Sequence, residues 1–135
     1  MSTARCSVRP EGVNLMSKKY DKLIAKVKKI KRDEDQFKAL ISWTNANIDY
    51  KSGLAHLSTR SIIDRGTGDC LDIATIHRDA LVELGFTAKL YNLTLVDYQL
   101  EVEHTVVKVG RHWICAIHGV KRGGRYPQHR ELVEL

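Results

Sequence analysis

A nucleophile and a base can be drawn from this chain. Cys70 sits in Gly66-Thr67-Gly68-Asp69-Cys70-Leu71-Asp72-Ile73-Ala74, and His104 follows 34 residues later. A thiol beside an imidazole performs acyl transfer: the imidazole takes the thiol proton, and the thiolate attacks an acyl carbon. Ile73, Ala74, Ala80, Leu81 and Leu84 recur at helical spacing and stop at Gly85, which predicts a helix with Cys70 in its first turn. There the positive end of the helix dipole favours thiolate over thiol. The Cys70 backbone N–H would be a natural oxyanion donor. Gly66 and Gly68 remove side chains from the approach, so a substrate backbone could come close. Each residue also has a bland reading, since most single cysteines are buried small hydrophobes and a strand histidine alone signifies little.

The neighbouring polar groups read as structural. Asp69 and Asp72 flank the nucleophile and suit capping and the helix dipole; a basic partner for Asp72 is conceivable, but the sequence names none. His77 lies two turns beyond Cys70 and reads as packing. Trp43 reads as core and Asn45 as helix surface, with assistance to an oxyanion as the alternative for either. Cys115 alternates with Trp113 and Ile117, which suggests a buried thiol. Three cysteines (Cys6, Cys70, Cys115) without paired spacing argue against a disulfide framework and for a reducing compartment. The absence of C-x-x-C and of a closely spaced His pair gives zinc no support, and no cofactor is implied.

Helices in the first half and strands in the second must position these groups. Ser17 is a plausible N-cap for a helix of about 15 residues, with Tyr20, Leu23, Ile24, Val27 and Ile30 on one apolar stripe. A second helix starts near Asp33, with Phe37, Leu40, Ile41, Thr44 and Ile48 on one side. Residues 47–53 read as a turn, and 57–65 as a connector with a helical turn from Thr59. After Gly85 the period changes to alternation over 90–96, 102–109 and 112–117, with Gly110-Arg111 as a hairpin turn. Gly123-Gly124, Tyr126-Pro127 and a weakly amphiphilic 131–135 complete the tail. Blocks of helices then strands argue an α+β fold with an antiparallel sheet.

At 135 residues, 43% hydrophobic and 28% charged, the chain suits one soluble domain able to bury its own core. No apolar run has membrane-spanning length and residues 1–10 lack a signal-peptide core, so a cytoplasmic location without a membrane partner is expected. The net charge of +6 is uneven: residues 1–32 hold ten Lys/Arg against Glu11 and Asp21, leaving the remainder near neutral. That lysine run reads as the solvated face of a helix, with an acidic partner or nucleic acid as the alternative. Only Tyr20 interleaves the lysines as a stacking aromatic.

The Gly68-Asp69-Cys70-Leu71-Asp72-Ile73-Ala74 segment, the Leu81–Gly85 helix end and a strand bearing His104 resemble the transglutaminase-like superfamily of cysteine enzymes. Trp43, Ile48-Asp49-Tyr50 and Arg60-Ser61-Ile62-Ile63 extend the resemblance over roughly 35–118, within a single domain whose residues 1–32 form a basic helical segment. The resemblance implies a papain-like, transglutaminase-core fold with helices packed on a C-terminal antiparallel sheet. It implies Cys70 as nucleophile and His104 as general base, forming a thioester on a protein or peptide substrate. Members include thiol proteases, amidases and amide-forming transferases. A hydrolase is expected here, because a single short domain offers no second unit to exclude water or bind an amine.

The family usually places Asp or Asn on the strand after the histidine. Trp113-Ile114-Cys115-Ala116-Ile117-His118 holds no carboxylate. A two-residue hairpin turn at 110–111 would set His104 opposite Ile117, and a three-residue loop at 110–112 would set it opposite His118. His118 is therefore the candidate third residue. Without it a Cys–His dyad remains chemically viable, because a thiol ionises more readily than a serine hydroxyl. A binding or structural protein that keeps the fold without turnover is the alternative.

Overall fold

The computed structural model describes residues 11–97, 100–117, 119–122 and 129–135. His118, Cys6, Gly123-Gly124 and Tyr126-Pro127 lie outside the described residues. Four helices come first: α1 (Glu11–Lys28), α2 (Asp33–Asn47), α3 (Thr59–Arg65) and α4 (Cys70–Glu83). Two short strands, β1 (Asp49–Tyr50) and β2 (Thr67–Gly68), pair in parallel between them. Then follow β3 (Ala88–Asp97), β4 (Leu100–Val109), β5 (His112–Cys115), β6 (Gly119–Arg122) and β7 (His129–Glu134). These form one antiparallel sheet in the order β6-β5-β4-β3-β7. The α+β architecture is the one that the pattern of periods predicts.

Helix α1 begins at Glu11, not at a Ser17 cap. A single glycine, Gly12, costs a helix only about 1 kcal/mol, so it does not stop the helix forming. Tyr20, Leu23, Ile24 and Val27 are buried, while the helix's lysines from Lys18 onward are exposed on the other side. Helix α2 starts at Asp33 with Asp33, Glu34 and Asp35 in its first turn, where negative charge meets the unpaired N–H groups. Helix α3 is capped by the Ser58 hydroxyl, which accepts from the Ser61 N–H. It ends at Gly66, whose φ of +77° requires glycine.

The segment read as a turn at 47–53 contains β1. Its pairing is non-local: Asp49 N–H donates to Gly66 O and Lys51 N–H to Gly68 O. Strands β6 and β7 also escape the sequence pattern. They are short, and each is defined by the edge it extends rather than by its own alternation.

The main core lies between the helices and one face of the sheet. Leu40, Ile62, Ile76 and Leu81 meet Val107, Val109 and Ile114 there. On the opposite face Leu93, Val106, Trp113 and Cys115 make a second, smaller cluster. Alternation along β4 thus sends Val107 and Val109 to the helices, and Val106 away from them.

Candidate active site

Cys70 is the first residue of α4, and its thiol is partly exposed. Asp69 is the N-cap: its Oδ1 accepts the Asp72 N–H at 3.0 Å, while Asp72 Oδ2 accepts the Asp69 N–H at 3.2 Å. This reciprocal capping box satisfies two orphan donors and fixes the backbone on either side of Cys70. Asp72 does more than cap. It is 1% exposed, receives Arg65 Nη2 at 3.2 Å on Oδ2, and holds His56 Nδ1 at 3.0 Å on Oδ1. The hydrogen bond to Asp72 raises the His56 pKa above its usual value. Arg65 in turn donates to Thr67 O and Ala55 O, tying α3, the loop after β1 and the start of α4 together.

Gly68 serves that hub. A Cβ there would lie 2.7 Å from Asp72 Cβ, so the glycine is needed for the approach of α4 to β2. Gly66 supplies a positive φ and Gly68 makes room for Asp72, so both glycines have a backbone role besides any opening of the approach to Cys70.

A cavity of about 140 Å³ opens beside the thiol, with a largely apolar lining. Ile48, Ile73, Ala74, Ala116 and Ile117 line it, with Cys70, His104 and Cys115 also on its surface. Its existence follows from the sheet: the β4–β5 ladder ends at the Val107–Ile114 pair, so β4 is uncovered from Val106 back towards His104. Tyr50 and Ile117, 62% and 68% exposed, stand at the rim. Tyr50 is paired with Gly68 across β1 and β2, which brings its phenol to Cys70. Partial burial and the facing Cys70 sulfur raise the Tyr50 pKa, and hydrogen bonding from the Cys70 backbone N–H opposes them. Asn45 also lines the cavity and donates from Nδ2 to Ala116 O at 3.4 Å. Trp43 is absent from the lining and packs on the main core instead.

Cys70 and His104 therefore share one cavity, but their resolved hydrogen bonds go elsewhere. The Cys70 thiol donates to Thr105 Oγ1 at 3.9 Å, and His104 Nε2 lies 3.1 Å from Cys115 Sγ. Helix α4 packs on the sheet face carrying Val107 and Val109, so Thr105, one residue on from His104, meets the thiol. The hairpin is the two-residue one, with Val109 paired to His112. That register runs towards Ile117 opposite His104, so the three-residue alternative that would have placed His118 there is not formed. Continued one residue past the Val107–Ile114 pair that ends the ladder, the same register sets Cys115 beside Val106 and diagonal to His104, within reach of an imidazole. Alternation along β5 marks Cys115 as buried but carries no signal for this diagonal contact.

His77 is fully buried, and burial pushes its pKa down to about 4. Its Nε2 is 2.9 Å from Thr44 Oγ1, whose hydroxyl has the Ile41 and Leu40 carbonyls within reach. The hydroxyl can accept from His77 while donating to a backbone carbonyl, or donate to the ring nitrogen itself; burial keeps the imidazole neutral in either tautomer. His77 Nδ1 has no hydrogen-bond partner among the described residues, and the His77 side chain is part of the cavity lining.

No family model matches the sequence, and no curated protein matches it either. Solved structures do. Calcium-bound LapG of Legionella pneumophila superposes with a TM-score of 0.66 at 20% identity, over 92% of this chain and 75% of that one. The fold is transglutaminase-like. A putative cysteine protease from Cytophaga hutchinsonii gives 0.61 at 17% identity, covering 89% of this chain and 52% of its own. A structure described as a TGase gives 0.61 at 17%, covering 94% and 38%. The chain thus spans about half of the Cytophaga protein and three quarters of LapG.

The group best placed to take a cation among the described residues is His56, Asp69 and Asp72, with one donor atom from each within 4.8 Å. Calcium wants six to eight oxygen ligands. Here the Arg65 guanidinium already sits 3.2 Å from Asp72 Oδ2, His56 occupies Oδ1, and Asp69 Oδ1 is taken by the capping box. The cluster fits an ion-pair hub and not a calcium site. No described helix is long and apolar enough to cross a membrane.

Proposed function

We propose that this chain is a cysteine-dependent hydrolase of amide bonds in peptides or carboxamides, with Cys70 as nucleophile and His104 as base. The observation that carries this reading is a partly exposed thiol at the N-terminus of α4, opening into a cavity that it shares with a buried histidine. The Cys70 proton passes to His104, and the thiolate adds to the carbonyl carbon. The oxyanion forms beside the Cys70 backbone N–H, at the positive end of the helix. Collapse breaks the C–N bond, the imidazolium returns the proton to the leaving amine, and a thioester remains. Water, deprotonated by His104, then releases the acid. A rim with exposed Tyr50 and Ile117 leaves the thioester open to water, which favours hydrolysis over transfer to an amine. The apolar lining suits an apolar side chain on the acyl donor. Reduced thiols at Cys70 and Cys115 suit a reducing compartment such as the cytoplasm.

One observation favours a second reading, a binding protein without turnover: Cys70 and His104 are hydrogen-bonded to other residues, and β5 offers no carboxylate. Iodoacetamide alkylation of each cysteine, followed by peptide mass spectrometry, separates the two. The enzyme reading expects Cys70 to react ahead of Cys115 and to slow by about 10²-fold or more in His104→Ala, as for loss of a general base. Equal rates in wild type and His104→Ala would leave the binding reading.

A further inference from the structure

We infer that Cys115 is the positioning residue for His104, its sulfur standing where a carboxylate would hold the imidazole. This rests on the acyl-transfer reading above. His104 and Cys115 are 7% and 3% exposed, and Nε2 and Sγ approach to 3.1 Å. The pair lies against an apolar patch of Leu93, Val106 and Trp113. Cys115 is the last residue of β5, one position beyond the Val107–Ile114 pair that ends the β4–β5 ladder, and it is held on its other side by pairing with Gly119 of β6.

The consequence for the chemistry is a choice of tautomer. With Nε2–H donating to Sγ, Nδ1 is the nitrogen that takes the Cys70 proton. The imidazolium then keeps its Nε2–H on sulfur until Nδ1 delivers its proton to the leaving amine nitrogen. The Cys115 proton moves at no stage, and no oxidant or reductant is needed. A neutral thiol orients the ring without supplying the charge that a carboxylate would add. The arrangement therefore needs a nucleophile that ionises readily, and a thiol meets that need.

The test compares Cys70 alkylation in wild type, His104→Ala, Cys115→Ala and Cys115→Ser, with ring ¹⁵N shifts of His104 read by NMR on the same full-length proteins. Cys115→Ala should slow Cys70 alkylation by roughly 3- to 10-fold, the worth of one hydrogen bond, and shift the ring nitrogens away from the Nε2–H pattern. Cys115→Ser, which keeps a donor and acceptor at that place, should recover part of both. A purely structural role for Cys115 would leave the ¹⁵N pattern unchanged. Wild-type or faster alkylation in a folded Cys115→Ala, with His104→Ala still slow, would overturn the inference and leave the enzyme reading standing. Alkylation indifferent to His104 itself would overturn both. If Cys115→Ala fails to fold, Cys115→Val, which fills the space without a hydrogen-bonding atom, decides: an unchanged ¹⁵N pattern and rate there would overturn the inference.

Discussion

Replacing Asp72 by alanine should unseat the start of α4, and its cost can be worked from the contacts. The carboxylate is 1% exposed and accepts from Arg65, the Asp69 N–H and His56. A hydrogen bond to a charged partner is worth about 1.5–3 kcal/mol, and half of a capping box about 0.5–2 kcal/mol. The His56 side chain is 53% exposed, so its share is small. Arg65 keeps the Thr67 and Ala55 carbonyls, so its charge is not stranded. The total should fall near 3 kcal/mol, at the low end of what breaking a buried pair costs. That corresponds to a Tm lower by roughly 10 °C for a domain of this size. Asp72→Asn keeps one oxygen for Arg65 and Asp69 and should cost about 1 kcal/mol.

The penalty also has a pH signature. The His56 pKa is raised in the folded state, first by its hydrogen bond to Asp72. Its contribution is therefore complete below the unfolded value and disappears as pH rises through the folded one. Asp72→Ala should accordingly lose more stability at pH 6 than at pH 8.5. Urea unfolding followed by circular dichroism at both pH values measures this. A cost below about 1 kcal/mol at pH 6 would refute the view that Asp72 anchors the nucleophile's helix.

His77 should make the protein acid-sensitive in the opposite sense. With a folded pKa of about 4, it stays neutral while the unfolded chain takes up a proton below about 6.5. Stability should fall as pH drops through that window, by up to roughly 3 kcal/mol. His77→Gln, which can still donate to Thr44 Oγ1, should flatten the dependence in urea titrations; an unaltered slope would place its cause elsewhere. Tyr50 stands across β1 and β2 from the start of α4, and a protonated phenol beside the Cys70 sulfur favours the thiolate. Tyr50→Phe should therefore slow Cys70 alkylation by roughly the 2- to 10-fold that one hydrogen bond is worth. Faster alkylation would show instead that the phenol restrains the thiolate.

What the sequence by itself determined was local. The α4 start at Cys70 follows from Asp69 and Asp72 three residues apart, since the capping box closes within one turn. The buried stripe of α1, the acidic first turn of α2 and the Gly110-Arg111 hairpin are likewise set by neighbours a few positions away. Tertiary structure alone decided what meets across elements. The sheet face covered by α4 brings Thr105 to the thiol, and the β4–β5 register gives His104 to Cys115. The parallel pairing of β1 with β2 carries Tyr50 to Cys70, and the fold of α3 brings Arg65 to Asp72. Those choices depend on register and packing between distant segments. Reversing which face a strand presents leaves its pattern of alternation unchanged, so periodicity marks Cys70 and His104 without deciding which side chains they touch.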